Sequence, residues 1–371
     1  MWKSPVLLIL LAGTVGTANA HHGINGQFDT SQTFEVSGMV TRLALVNPHS
    51  YVYFDVTGDD GAAIPWRCEM RAGSLLRRSG WSEVFSPGAK ITIFGSPDRV
   101  DEQTCYMMNV TFEDGTTLDR YAQVVPADVD DVAPVERPLR LADGQLNLAG
   151  TWGTAGEGPP PGIAGNVFVT GSRAVVLERL GMGMGMGAFA PPSVQPTAAG
   201  LAAIEGLTHV ADNPRFHCMA VNIFHDWTFD RHINEILQTE NTITLKYGFM
   251  DLVRMIHMTL AQHPADIMPT RAGHSIGRWE DDVLVVDTVG FDEGFIVAGP
   301  GGIVKHSDEL HTVEQFSYDP ENMTLHRSYV AEDPLYLTGQ FTGEDTVGIA
   351  DSPFDPYNCD DLTNEHINVG D

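Results

Sequence analysis

The sequence predicts a mainly β chain built as a small barrel followed by a larger antiparallel one. Three observations carry this. Apolar and polar residues alternate in short segments; turn formers are abundant, with 38 Gly and 22 Pro among 371 residues; and no helix-length amphipathic run separates the later segments, so a parallel α/β sheet is not expected. At 43% hydrophobic residues the chain has the composition of a globular protein, and its length suggests about two domains.

In the first half, 34–43 alternates with Phe34, Val36, Gly38 and Val40 on one face. Asn47-Pro48 marks a turn, and 51–57 and 64–70 read as the next strands. Helix formers fill 72–78, and Gly80 stands as a C-terminal stop. Segments 90–95 and 105–112 follow as strands, and 118–124 can return across the Glu113-Asp114-Gly115 turn. Three strands, a short helix and two or three strands is the order of an OB-like small barrel. Residues 126–147 hold three prolines among aspartates near their start and read as a linker. From 148 to the end, a short helix expected at 196–205 precedes strands at roughly ten-residue spacing. They fall at 233–239, 242–247, 252–258, 274–279, 283–289, 310–318 and 324–330. Gly150-Thr151-Trp152 resembles the Gly-x-Trp opening of lipocalin-like barrels, which suits a second, lipocalin-like barrel.

Residues 1–20 have the layout of a secretory signal: Lys3, an apolar 6–11 run, and Ala18-Asn19-Ala20 as the cleavage site. The mature chain, 21–125 plus linker and second barrel, is then expected in the periplasm or outside the cell, starting at His21. No later segment is long and apolar enough to insert in a membrane. The formal net charge of −28 argues against nucleic acid and anionic membrane surfaces. Four cysteines allow three pairings, of which one bridge per half, Cys68–Cys105 and Cys218–Cys359, is the simplest.

His21-His22-Gly23, Phe28-Asp29, Gly38-Met39-Val40, Asn47-Pro48-His49 and Gly80-Trp81 together resemble an uncharacterised family of exported bacterial domains, in which Ser usually stands where this chain has Gly23. The later stretches Gly273-His274-Ser275-Ile276-Gly277-Arg278-Trp279-Glu280, Asp287-Thr288-Val289-Gly290-Phe291, His306-Ser307-Asp308-Glu309-Leu310-His311 and Glu332-Asp333-Pro334 resemble a second uncharacterised exported family. Neither resemblance implies a reaction.

Two metal-ligand sets stand out. The amine and imidazole of a mature His21, with His49 and with His22 as a substitute, would form a three-nitrogen set suited to copper. Met182, Met184 and Met186, spaced by glycines, offer soft thioethers for Cu(I). The expected partner is therefore a metal ion or a small-molecule ligand, with a copper-binding exported protein as the first functional expectation. A second expectation is an enzyme acting on a small apolar or sugar-like molecule. In it His274, His306, His311 and Glu314, beside Asp287 and Asp308, supply acid–base groups. Strand parity sets a condition: Glu314 shares the face of Leu310 and Thr312, opposite His311 and Val313. A third expectation is a structural or interaction module of the cell envelope. Gly273-His274-Ser275-Ile276-Gly277 also matches the G-x-S-x-G of serine hydrolases, but no helix follows it. His257 and His263 fit no metal-binding spacing and read as ordinary core or surface residues.

Overall fold

The computed structural model describes residues 27–122, 124, 137–154, 194–208, 212–229, 232–299, 302–350 and 352–360. The signal segment, His21, His22, linker residues 126–136 and Met182, Met184 and Met186 lie outside the described residues.

The first barrel comprises β1 (Phe34–Ala44), β2 (Tyr51–Thr57), β3 (Ala63–Glu69), the helix α1 (Gly73–Arg78), β4 (Lys90–Pro97) and β5 (Thr104–Phe112). Strand β1 pairs with β2 and β4, β2 with β3, and β4 with β5; a parallel β3–β5 contact closes the ring. A short β6 (Thr117–Asp119) extends β5, less than the return expected over 118–124. The closing seam carries the Cys68–Cys105 disulfide, between residues in direct register. Val36, Val40, Val52, Phe54, Ile91, Ile93 and Val110 fill the interior from alternate positions.

The second barrel is closed by nine strands. They are β7 (Gly150–Thr154), β9 (Asn234–Gln238), β10 (Thr242–Lys246), β11 (Val253–His257), β12 (His274–Glu280), β13 (Val283–Val289), β16 (His311–Asp319), β17 (Thr324–Glu332) and β19 (Phe341–Ile349), with short β8 (Gln195–Pro196) and β18 (Leu337–Thr338) paired outside the barrel. Strands β14 (Gly294–Gly299) and β15 (Gly302–His306) make a separate hairpin between β13 and β16. The expected antiparallel order holds except at one seam: β11 and β12 run parallel. A parallel neighbour cannot be reached by a tight hairpin, and residues 258–273 make the return over the outside of the barrel. That detour positions the site described below.

The lumen is packed and partly charged. Residues 220–228 enter it, where Trp227 meets Tyr247 and Phe316, and Phe224 meets Tyr329 and Phe341. On the inner wall Arg254 donates to Ser275 Oγ (2.9 Å) and Thr288 Oγ1 (2.7 Å) and pairs with Glu314. Glu314 continues to Arg327 (3.3 Å), which pairs with Asp345 and donates to the carbonyls of Ile223 (2.8 Å) and Phe224 (3.1 Å). Arg254, Glu314 and Arg327 are wholly buried. Charges so placed persist only when each has a partner.

The two barrels touch through the Asn47-Pro48 turn and α1. The Asn47 carboxamide accepts from the Ser74 amide and hydroxyl (3.1 Å each) and donates to the Tyr357 carbonyl. Ser74 also bonds His232 (3.2 Å), and Arg77 pairs with Asp355 (2.7 Å). The second disulfide, Cys218–Cys359, ties this C-terminal segment to the loop leading into the lumen. Both disulfides therefore follow the simplest pairing, and they indicate a non-reducing environment. No helix of the described residues is long and apolar enough to cross a membrane.

Candidate functional site

Alternation along β12, β13 and β16 sends Ser275, Thr288, Thr312 and Glu314 into the lumen, and His274, Asp287 and His311 outward. On the outer wall these last three come together with two histidines from the β11 end and the return loop. His263, carried by the loop, places Nε2 2.9 Å from Asp287 Oδ1 and Nδ1 2.8 Å from His274 Nδ1. His311 places Nε2 3.2 Å from Asp287 Oδ2. The His257 ring stacks on His274 with centroids 4.9 Å apart. All five side chains are half-buried or exposed.

The hydrogen-bond roles follow from the carboxylate. Burial alone would raise the Asp287 pKa, but hydrogen bonds from His263 and His311, and the charge these rings can carry, hold it below the ordinary aspartate range. Ionised, Asp287 only accepts, so Nε2 of both His263 and His311 carries a proton. A neutral His263 then has its lone pair on Nδ1 and accepts from the Nδ1–H of His274. These assignments leave Nε2 of His274 and Nδ1 of His311 as lone pairs, with no hydrogen bond among the described residues. Burial, then the neighbouring His257 and His263, lower the His274 pKa and favour its neutral form. The result is two basic nitrogens held by a hydrogen-bonded chain of three imidazoles and one carboxylate.

The expected acid–base residues thus divide. His274 and His311 are linked, through His263 and Asp287. His306 does not join them: it ends β15, buried against Phe291, with Nδ1 3.0 Å from the Ser307 carbonyl. Burial lowers its pKa. Glu314 faces the lumen and serves the arginine network, so it neighbours no outward histidine, as strand parity requires. Asp308 follows β15 and makes no hydrogen bond or ion pair with the cluster. Ser275 lies in mid-strand, buried and bonded to Arg254 and Thr288 (2.9 Å), without the exposed elbow a nucleophile needs. Sequence spacing did not single out His257 and His263, because the parallel β11–β12 seam brings the first to the site and the return loop the second. Among the described residues, no group of three or more His, Cys, Asp and Glu side chains is arranged to hold a metal ion.

His49, of the expected copper set, belongs to the other barrel. It is one-quarter exposed and places Nδ1 3.1 Å from Glu69 Oε2.

Residues 9–106 match a family of unknown function, DUF6152, which places the first barrel, up to the start of β5, in similarity to that family. A search among curated proteins finds no match.

Proposed function

We propose that the chain is an exported enzyme whose second barrel carries an acid–base site made of His263, His274, Asp287 and His311, acting on a small molecule at the outer barrel wall. The observation that carries this reading is the continuous chain of bonds from His274 through His263 and Asp287 to His311. His306, by contrast, bonds a neighbouring backbone carbonyl and, among the described residues, joins no other side chain by a hydrogen bond. In the cluster one carboxylate orients two rings, and the two outermost nitrogens are left for a substrate, within reach of solvent. A positioned base of this kind accelerates proton transfer by about 10²–10⁴-fold. What supports an exported location is the signal-like N-terminus together with two disulfides.

Hydrolysis of 4-nitrophenyl acetate reads such a base without knowledge of the natural substrate. The mature protein is expected to exceed its His274→Ala and Asp287→Ala variants by about 10²-fold, a general-base contribution, with a rate that rises as imidazole deprotonates. Equal rates for all three proteins would contradict the proposal.

One observation favours a second reading, copper held by His21 and His49. Glu69 lies against Nδ1 of His49, as a carboxylate commonly backs a metal-bound imidazole. Met182, Met184 and Met186 would add thioether ligands. Copper uptake near one equivalent, lost in both His21→Ala and His49→Ala, is its expected result; uptake that survives in these variants contradicts it.

A further inference from the structure

The outer wall beside the histidines carries exposed apolar side chains, and its register is explicit. One row runs across the strands as Thr242, His257, Ile276, Asp287, Val313 and Val330. The next row places Leu237 and Met255 on either side of Thr244. Leu237, Val253, Met255 and Val330 are 44%, 56%, 49% and 38% exposed. Scattered apolar residues on a surface are ordinary, whereas Met255 shares the outer face of β11 with His257 of the cluster, and Leu237 stands on the same row two strands away. Strands lie about 4.8 Å apart, so Leu237 and Met255, two strands from each other, define a surface about 10 Å wide. That width suits one fused-ring or branched aliphatic body.

The polar end of the ligand is specified by the ring nitrogens. Nε2 of His274 and Nδ1 of His311 both accept in the neutral cluster, so a bound head group must donate. The formal charge of −28 disfavours an anionic ligand. A soft, polarisable Met255 and the stacked His257–His274 pair favour an aromatic body. We propose that the site takes neutral apolar hydroxyl compounds, of which phenols are the type, with the ring system on the Leu237–Met255 surface and the hydroxyl donating to Nε2 of His274. This rests on the acid–base reading above and adds its ligand class. A phenolic O–H held on a neutral imidazole is also the geometry from which a base removes that proton: the proton passes to His274 Nε2 and the electron pair stays on the phenolic oxygen.

The probe is 2-naphthol, followed by its fluorescence on titration with the mature full-length protein. 2-Methoxynaphthalene, which keeps the oxygen but lacks the proton, serves as control. The expected result is saturable binding of 2-naphthol, at least ten-fold tighter than the ether. The ten-fold preference is expected to disappear in His274→Phe, which keeps a ring but removes the acceptor. Met255→Glu, at an exposed position that leaves folding undisturbed, is expected to weaken 2-naphthol at least ten-fold. Equal binding of the two probes by the wild-type protein overturns the donor requirement. Binding unchanged in Met255→Glu overturns the placement, and no saturable binding at millimolar probe overturns the ligand class. Nitrogen-15 NMR of the imidazoles separates the two levels. Tautomers as assigned with no naphthol bound would sink this inference alone, whereas other tautomers would remove the acid–base reading as well.

Discussion

Asp287 determines what the cluster can do, because it fixes the proton positions on two rings at once. Asp287→Asn keeps the shape but presents one acceptor and one donor, so either His263 or His311 must turn or change tautomer. The expected outcome is a roughly 10²-fold loss on 4-nitrophenyl acetate, the scale of one general base. The circular dichroism spectrum should be unchanged. Buried histidines and Asp287 together set the acid stability. Burial holds the pKa of His232 well below its usual value, and those of His306 and His274 below it. The unfolded chain therefore takes up protons first as the pH falls through about 6.5, and stability declines below that value. Asp287, whose pKa is also lowered, adds stability that is full above the ordinary aspartate value and is lost as the pH falls through its lower folded value. Urea midpoints at pH 7.5 and 5.5 should show the first effect, with a lower midpoint at 5.5. The strand parity that separates His311 from Glu314 was legible in the sequence. The partnership with His263 was not, since it depends on how a sixteen-residue return, 258–273, lies on the barrel.

At the scale of elements, the parallel β11–β12 seam creates the site. An antiparallel hairpin would leave no loop to bring His263 over Asp287. The opposite, inner face of the same strands holds the Arg254–Glu314–Arg327 network. Removing its middle member leaves two buried guanidinium groups short of a partner, so Glu314→Ala should cost about 3–5 kcal/mol in denaturant unfolding. An unchanged midpoint would show that the network is not closed around this residue. Most strands announced themselves by alternation, Val283–Val289 and Tyr51–Thr57 to the residue. Strand β19 did not. Its inward positions include Gly343 and Asp345 between Phe341 and Val347, so the apolar rhythm is broken where Asp345 serves Arg327.

Over the whole molecule, the Asn47-Pro48-His49 motif has a joining role as well as a surface one. Asn47 is buried and bonds both α1 and the Tyr357 carbonyl, so it holds the first barrel to the C-terminal segment. Asn47→Ala should cost about 1–3 kcal/mol, the scale of leaving buried partners unsatisfied, and bring the two barrels toward separate thermal transitions. Arg77→Ala, across an exposed pair with Asp355, should change stability by less than about 1 kcal/mol. The two-barrel architecture and both disulfides were legible because alternation and cysteine count are local properties. The junction was not, because the residues that meet there, Asn47 and Tyr357, stand 310 positions apart.

Asp287 orients His263 and His311 and leaves a basic nitrogen on His274. Long-range nitrogen-15 correlation spectra of the histidine rings at pH 7.5 read out this arrangement. Nε2–H tautomers are expected for His263 and His311, an Nδ1–H tautomer for His274, and loss of the first two assignments in Asp287→Ala. Rings in the tautomer mixture of free histidine, unmoved by that substitution, would contradict it.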